Sequence, residues 1–114
     1  MADCLFCSIV AGDIPSTEVW SDDRCYAFRD VNPKAPVHVL VVPRSHHLNL
    51  AELATGDADL TVALMRGIAA VADAEGLAGS GYRVVFNTGR DGQQTVNHVH
   101  AHVMGNRAMR WPPG

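Results

Sequence analysis

The chain has 114 residues, is 47% hydrophobic and 18% charged, and carries a formal net charge of -3, which suits one hydrophobic core, so residues 1–114 are expected to form a single domain. A weakly acidic chain has no global basic field for a polyphosphate backbone, which argues against nucleic acid as a partner. With no basic and apolar leader and no run near ~20 apolar residues, a cytoplasmic protein without a membrane partner is expected.

Residues 5–11 suit a short N-terminal helix, stopped by Gly12-Asp13-Ile14-Pro15 because Pro15 lacks a donor and disfavours helical backbone before it. Residues 17–20 and 25–29 are short aromatic and β-branched runs around Ser21-Asp22-Asp23-Arg24, a hairpin pattern. The strongest strand is 37–42, rich in β-branched residues and closed by Pro43, and it is expected at the centre. Leu60, Leu64, Ile68 and Val71 then recur at helical spacing, with Asp57 as N-cap and Gly76 as stop, giving the one long helix. Residues 82–87 return to strand character, 88–92 make a Gly-containing loop, and 98–104 form the last strand. The sum is an α+β fold: a five-stranded antiparallel meander with one long helix and a short N-terminal helix.

The last strand carries the chemistry. Side chains alternate across a strand, so His98, His100 and His102 share one face while Val99, Ala101 and Val103 pack behind them. Imidazole titrates near neutral pH, so such a row can present a neutral nucleophile beside a proton donor. A His₃ metal site is the main rival reading. Cys4 and Cys7 have the two-residue gap of a zinc pair, which His46 or His47 with His98 could complete; packing is the plainer role for these thiols. Three cysteines cannot all pair, and no disulfide framework is expected.

The pattern His98-Val99-His100-Ala101-His102-Val103-Met104 resembles the signature of the histidine triad family. The resemblance runs over nearly the whole chain, through Asp3-Cys4-Leu5-Phe6-Cys7, residues 22–28, residues 36–43, Asn87-Thr88-Gly89 and Trp111-Pro112-Pro113-Gly114. That last ending is similar to the Hint branch, whose members are purine nucleoside phosphoramidases. The resemblance implies a homodimer whose two five-stranded sheets join, and cleavage of the P–N bond of purine nucleoside 5′-monophosphoramidates. A hydrolase is implied over a transferase because His102 stands where the transferase branch has Gln.

Roles follow residue by residue from the same resemblance. His100 is the nucleophile that forms a nucleotidyl-histidine, and its other nitrogen must donate to a fixed acceptor such as a backbone carbonyl. His102 contacts the phosphate or helps deliver a proton to the amine, and His38 supports the network. Asn87, Gln94 and Thr95 correspond to phosphate contacts, Asp30 to the holder of the ribose hydroxyls, and Trp111 to the leaving-group side of the pocket. Gln93 stands where the family commonly has Gly. A structural zinc is implied on Cys4, Cys7, His46 and His98, with His46 preferred to an exposed His47 through the Pro43-Arg44-Ser45-His46 turn; no catalytic metal is expected. Dinucleoside polyphosphate hydrolysis is the nearest alternative activity, and a nucleotide-binding regulatory protein is the alternative outside catalysis.

Overall fold

The computed structural model of the protein describes residues 4–114, so Asp3 of the N-terminal motif lies outside the described residues. Helix α1 (Leu5–Val10) starts at Cys4, whose Sγ accepts the Cys7 N–H at 3.3 Å. Strands β1 (Glu18–Ser21) and β2 (Cys25–Arg29) form the expected hairpin, and β3 (Val37–Pro43) is central. Helices α2 (Leu50–Gly56) and α3 (Ala58–Ala74) precede β4 (Tyr82–Val85) and β5 (Ala101–Gly105).

All strand pairs are antiparallel, in the order β1-β2-β3-β5-β4. The expected meander therefore holds only from β1 to β3. After β3 the chain leaves the sheet through both helices, returns at the far edge as β4, and β5 inserts between β4 and β3. Helix α2 was not expected. It is capped by Asn49, whose side chain accepts the Glu52 N–H at 2.9 Å while Glu52 reaches back to the Leu48 N–H at 2.9 Å.

The last two strands are shorter than expected, β4 ending at Val85 and β5 starting only at Ala101. Before Ala101 the backbone pairs with the segment after β3, where Val99 N–H donates to His47 O at 2.8 Å. The alternation still holds through this extended stretch. Val99, Ala101 and Val103 pack with Leu60, Leu64, Ile68 and Val71 of α3 on one face of the sheet. On the other face Phe6 and Ile9 of α1 pack with Phe28, Leu40 and Val42.

Helix α3 stops where Gly76 takes φ +72° and the Leu77 N–H closes back on Ala72 O at 2.9 Å. Leu77 is then driven into the core against Gly105, where a Cβ would lie 2.6 Å from Leu77 Cδ2. Gly105→Ala should therefore destabilise the fold by about 1–3 kcal/mol through overpacking. Urea denaturation checks this, and an unchanged midpoint would show that Leu77 has room to move.

Candidate active site

Extended backbone between the turn at residues 96–98 and β5 presents His98, His100 and His102 on the α1 side of the sheet. The His100 ring lies edge-on to Phe6 at 4.9 Å between centroids and 5.0 Å from the His102 ring. His100 Nδ1 lies 2.7 Å from His98 O. A carbonyl only accepts, so Nδ1 carries the proton and Nε2 keeps its lone pair. Burial lowers the His100 pKa, which favours the neutral ring a nucleophile requires.

A second chain of hydrogen bonds sets the neighbouring rings. The Lys34 backbone N–H donates to His38 Nδ1 at 2.9 Å, which leaves the proton of neutral His38 on Nε2. That Nε2 lies 2.9 Å from His102 Nδ1, so His38 donates and His102 accepts. Neutral His102 must then hold its own proton on Nε2. Burial, with His100 and His38 beside it, pushes His102 down to about 4, consistent with this neutral form. Asp30 joins from the turn before β3, its Oδ2 3.4 Å from His38 Nε2 and its Oδ1 accepting the Asn32 N–H at 2.8 Å. Asp30, His38 and His102 bring ligand-type atoms within 4.8 Å of one another. The Lys34 bond nevertheless keeps a proton on His38 Nε2, so that nitrogen has no lone pair for a metal.

His98 faces elsewhere. Its Nε2 donates to Pro43 O at 2.9 Å, which leaves the Nδ1 lone pair directed at Cys4 Sγ (3.4 Å) and Cys7 Sγ (3.5 Å). Cys7 Sγ is also 3.5 Å from His46 Nδ1. Tetrahedral zinc with Zn–S near 2.3 Å and Zn–N near 2.0–2.1 Å has N···S edges of about 3.5 Å, so this donor set fits the ion. The three triad rings do not converge on one point, which removes the geometric basis of a His₃ metal site. His47, expected to be exposed, is half-buried; its carbonyl holds Val99 and its ring lies 3.3 Å from Ser45 Oγ.

The loop before the triad is braced by its own hydrogen bonds. Gln94 donates from Nε2 to Leu48 O at 2.7 Å and to Val96 O at 3.0 Å, so its amide braces the loop and is not free for a phosphate. Gln93 takes the left-handed backbone, φ +59°, at the position where the resemblance has Gly. Thr95 is exposed and lines a cavity of about 630 Å³ with Cys4, Leu5 and His46, outside the His38–His102 network. Asn87 is half-buried with no side-chain hydrogen bond among the described residues. Asp30 and Val31 line a cavity of about 270 Å³ with Thr17 and Arg29. Trp111 is 82% exposed and does not fold back as ordinary packing. Sequence reasoning missed Lys34, whose contribution is a backbone N–H and leaves no trace in residue type.

The profile of the HIT domain matches residues 11–109. The 14 kDa zinc-binding protein of Zea mays is 42% identical over 112 residues, covering 96% of this chain and 87% of that protein. Adenylylsulfatase HINT1 of Arabidopsis thaliana is likewise 42% identical over 112 residues, covering 96% of this chain and 76% of that protein. Among solved structures, a HIT family hydrolase from Legionella pneumophila Philadelphia 1 superposes with a TM-score of 0.94 at 43% identity, covering 98% of this chain and all of that one.

Proposed function

Because this chain belongs to the HIT family, we propose that it is a nucleotide hydrolase that cleaves the P–N bond of purine nucleoside 5′-monophosphoramidates. One observation carries the reading: the 2.7 Å bond from His100 Nδ1 to His98 O, which holds the Nε2 lone pair available for attack. In the first step Nε2 bonds to phosphorus as the P–N bond breaks. The electron pair goes to the departing nitrogen, which leaves as the amine with one proton drawn from the medium. In the second step water bonds to phosphorus, the pair of the histidine–phosphorus bond returns to Nε2, and the water's protons pass to the medium.

His102 serves both steps as a hydrogen-bond donor from Nε2 to the reacting phosphate. With Nδ1 already accepting from His38 it is a donor in place, not a store of an extra proton. His38 is a positioning residue, Asp30 holds the ribose hydroxyls as their acceptor, and Asn87 and Thr95 are phosphate contacts. Gln94 acts through the loop it braces, and Trp111 borders the amine side. A bound zinc on Cys4, Cys7, His46 and His98 supplies structure only, since four protein ligands leave no open position. The same reading takes the chain as one cytoplasmic domain acting as a homodimer, supported by exposed Val62 and Met65 on α3 and exposed Tyr82 on edge strand β4.

The relative named adenylylsulfatase favours one second reading, cleavage of adenylyl sulfate through the same nucleotidyl-histidine. Parallel turnover assays with adenosine 5′-phosphoramidate, adenylyl sulfate and diadenosine polyphosphate, each with and without chelator, test both. The expected result is fastest release of AMP from the phosphoramidate, with catalysis surviving brief chelation. Faster cleavage of either other substrate reassigns the activity, and tight nucleotide binding without any turnover makes the protein a binding module.

A further inference from the structure

The loop from Val31 to Pro36 carries the backbone N–H that sets the His38 tautomer, yet little holds that loop in place. Pro33 and Pro36 have no N–H to give, and residues 31–36 make no backbone-to-backbone hydrogen bond outside the sheet among the described residues. The loop's own bonds are short-range: the Asn32 N–H donates to Asp30 Oδ1 at 2.8 Å, and Lys34 Nζ donates to Asn32 O at 2.9 Å. Among the described residues one side chain reaches it from a distant part of the sequence. Arg107 Nε donates to Lys34 O at 3.0 Å, while its Nη1 donates to Ala108 O at 3.1 Å.

The sheet fixes how Arg107 arrives there. Gly105 pairs with Val37 at the end of β5, and Asn106 then takes the left-handed backbone, φ +64°, so the chain turns just past the strand and sets Arg107 beside the loop that enters β3. Two carbonyls hold the guanidinium, and no carboxylate does so among the described residues. A charged donor makes a hydrogen bond about twice as strong as a neutral one, which suits a single bond that must seat a loop. Both bonds lie within one chain, between parts that β3 and β5 already hold together, so they do not depend on which surfaces a second copy would cover.

The consequence runs through Lys34. Its carbonyl is held by Arg107 and its N–H donates to His38 Nδ1 at 2.9 Å, while His38 Nε2 donates to His102 Nδ1 at 2.9 Å. Burial lowers the His38 pKa, so the ring is neutral and its tautomer is what remains to be set. A proton on Nδ1 would face the Lys34 N–H, donor against donor, so the proton stays on Nε2. If the loop shifts and Nδ1 takes the proton, Nε2 becomes an acceptor and His102 must carry its own proton on Nδ1. His102 Nε2 then has no hydrogen to give a phosphate. Asp30 Oδ2, 3.4 Å from His38 Nε2, favours the working tautomer from a longer distance, which makes the dependence on Arg107 partial.

Resting on the donor role given above to His102, we propose that Arg107 is a positioning residue, whose Nε–H bond to the Lys34 carbonyl seats the loop that keeps His38 and His102 in the tautomers the reaction uses. The role needs no contact with the nucleotide, so its loss slows the chemical step and spares binding.

Arg107→Gln and Arg107→Met separate the bond from everything else the side chain does. The glutamine amide nitrogen is bonded to Cδ as Arg Nε is, and the methionine methyl takes the same place without a donor. Both variants lose the charge and the bond to Ala108 O, so the difference between them reads the Lys34 bond alone. In Arg107→Met the Nδ1-protonated fraction of His38, read by NMR on 15N-labelled imidazoles at neutral pH, should rise about fivefold, the worth of one ordinary hydrogen bond. Single-turnover cleavage of adenosine 5′-phosphoramidate should slow by about fivefold while AMP affinity stays within about twofold. Arg107→Gln should recover most of both changes, and Arg107→Ala, a second variant without a donor, should repeat those of Arg107→Met. If the wild type leaves the phosphoramidate intact while the His38 tautomer still follows residue 107, the phosphoramidate reading fails and the positioning role stands. An unchanged His38 tautomer in both donor-free variants, or equal behaviour of Arg107→Gln and Arg107→Met, overturns it.

Discussion

Replacing His100 by Ala should lower turnover of adenosine 5′-phosphoramidate by at least about a thousandfold while nucleoside monophosphate binding stays within about tenfold. The asymmetry follows from what the ring does. Its Nδ1 is bonded to the His98 carbonyl and its edge packs on Phe6, so the remaining nitrogen has one task, to form the bond to phosphorus. No other neutral nitrogen in the row is equivalent: His102 holds its proton on Nε2 and His98 points its lone pair at the cysteines. Stopped-flow turnover and calorimetric titration with AMP check the two halves of the claim. Intact-mass analysis of quenched protein should show one added nucleotidyl group in the wild type and none in the variant. Near-normal turnover in a folded variant would take the nucleophilic role away from His100.

How far this arrangement was legible in the sequence depends on which part of a residue does the work. The triad face was legible because the alternation carries through Val99 and His100, which lie on opposite faces without belonging to a regular strand. The long helix was legible because its apolar period and its Asp57 cap agree, and Asp57 does accept the Leu60 N–H at 3.0 Å. Helix α2 went unread although Asn49 and Glu52 stand at capping spacing, since seven residues carry too little periodicity to set against a loop. Strand order was illegible for a different reason. Insertion of β5 between β3 and β4 is decided by where a two-helix crossover returns, and local pattern does not encode that. The bracing role of the Gln94 side chain was not legible, because an amide satisfies a phosphate or two carbonyls equally well and only the fold brings Leu48 O within 2.7 Å. The His38 tautomer depends on a backbone N–H, to which residue identity is blind.

Cys4→Ser and Cys7→Ser should each reduce zinc from about one ion per chain to well below that, and lower the thermal midpoint by roughly 10 °C or more. The site ties distant parts of the chain together. Cys4 and Cys7 come from the start of α1, His46 from the segment after β3, and His98 from the approach to β5. Outside this cluster, α1 is a six-residue helix held mainly by Phe6 and Ile9. Burial raises the Cys7 thiol pKa, with Cys4 beside it adding to the shift, so metal binding must displace a proton and zinc affinity should rise with pH. His98 makes the loss reach the nucleophile. The ring that would bind zinc belongs to the residue whose carbonyl fixes the His100 tautomer, so the serine variants should also lose part of their turnover. Metal analysis on protein purified without chelator, followed by calorimetric melting, checks the claim. Absence of zinc in the wild type, with serine variants melting at the same temperature, would leave both cysteines as core packing.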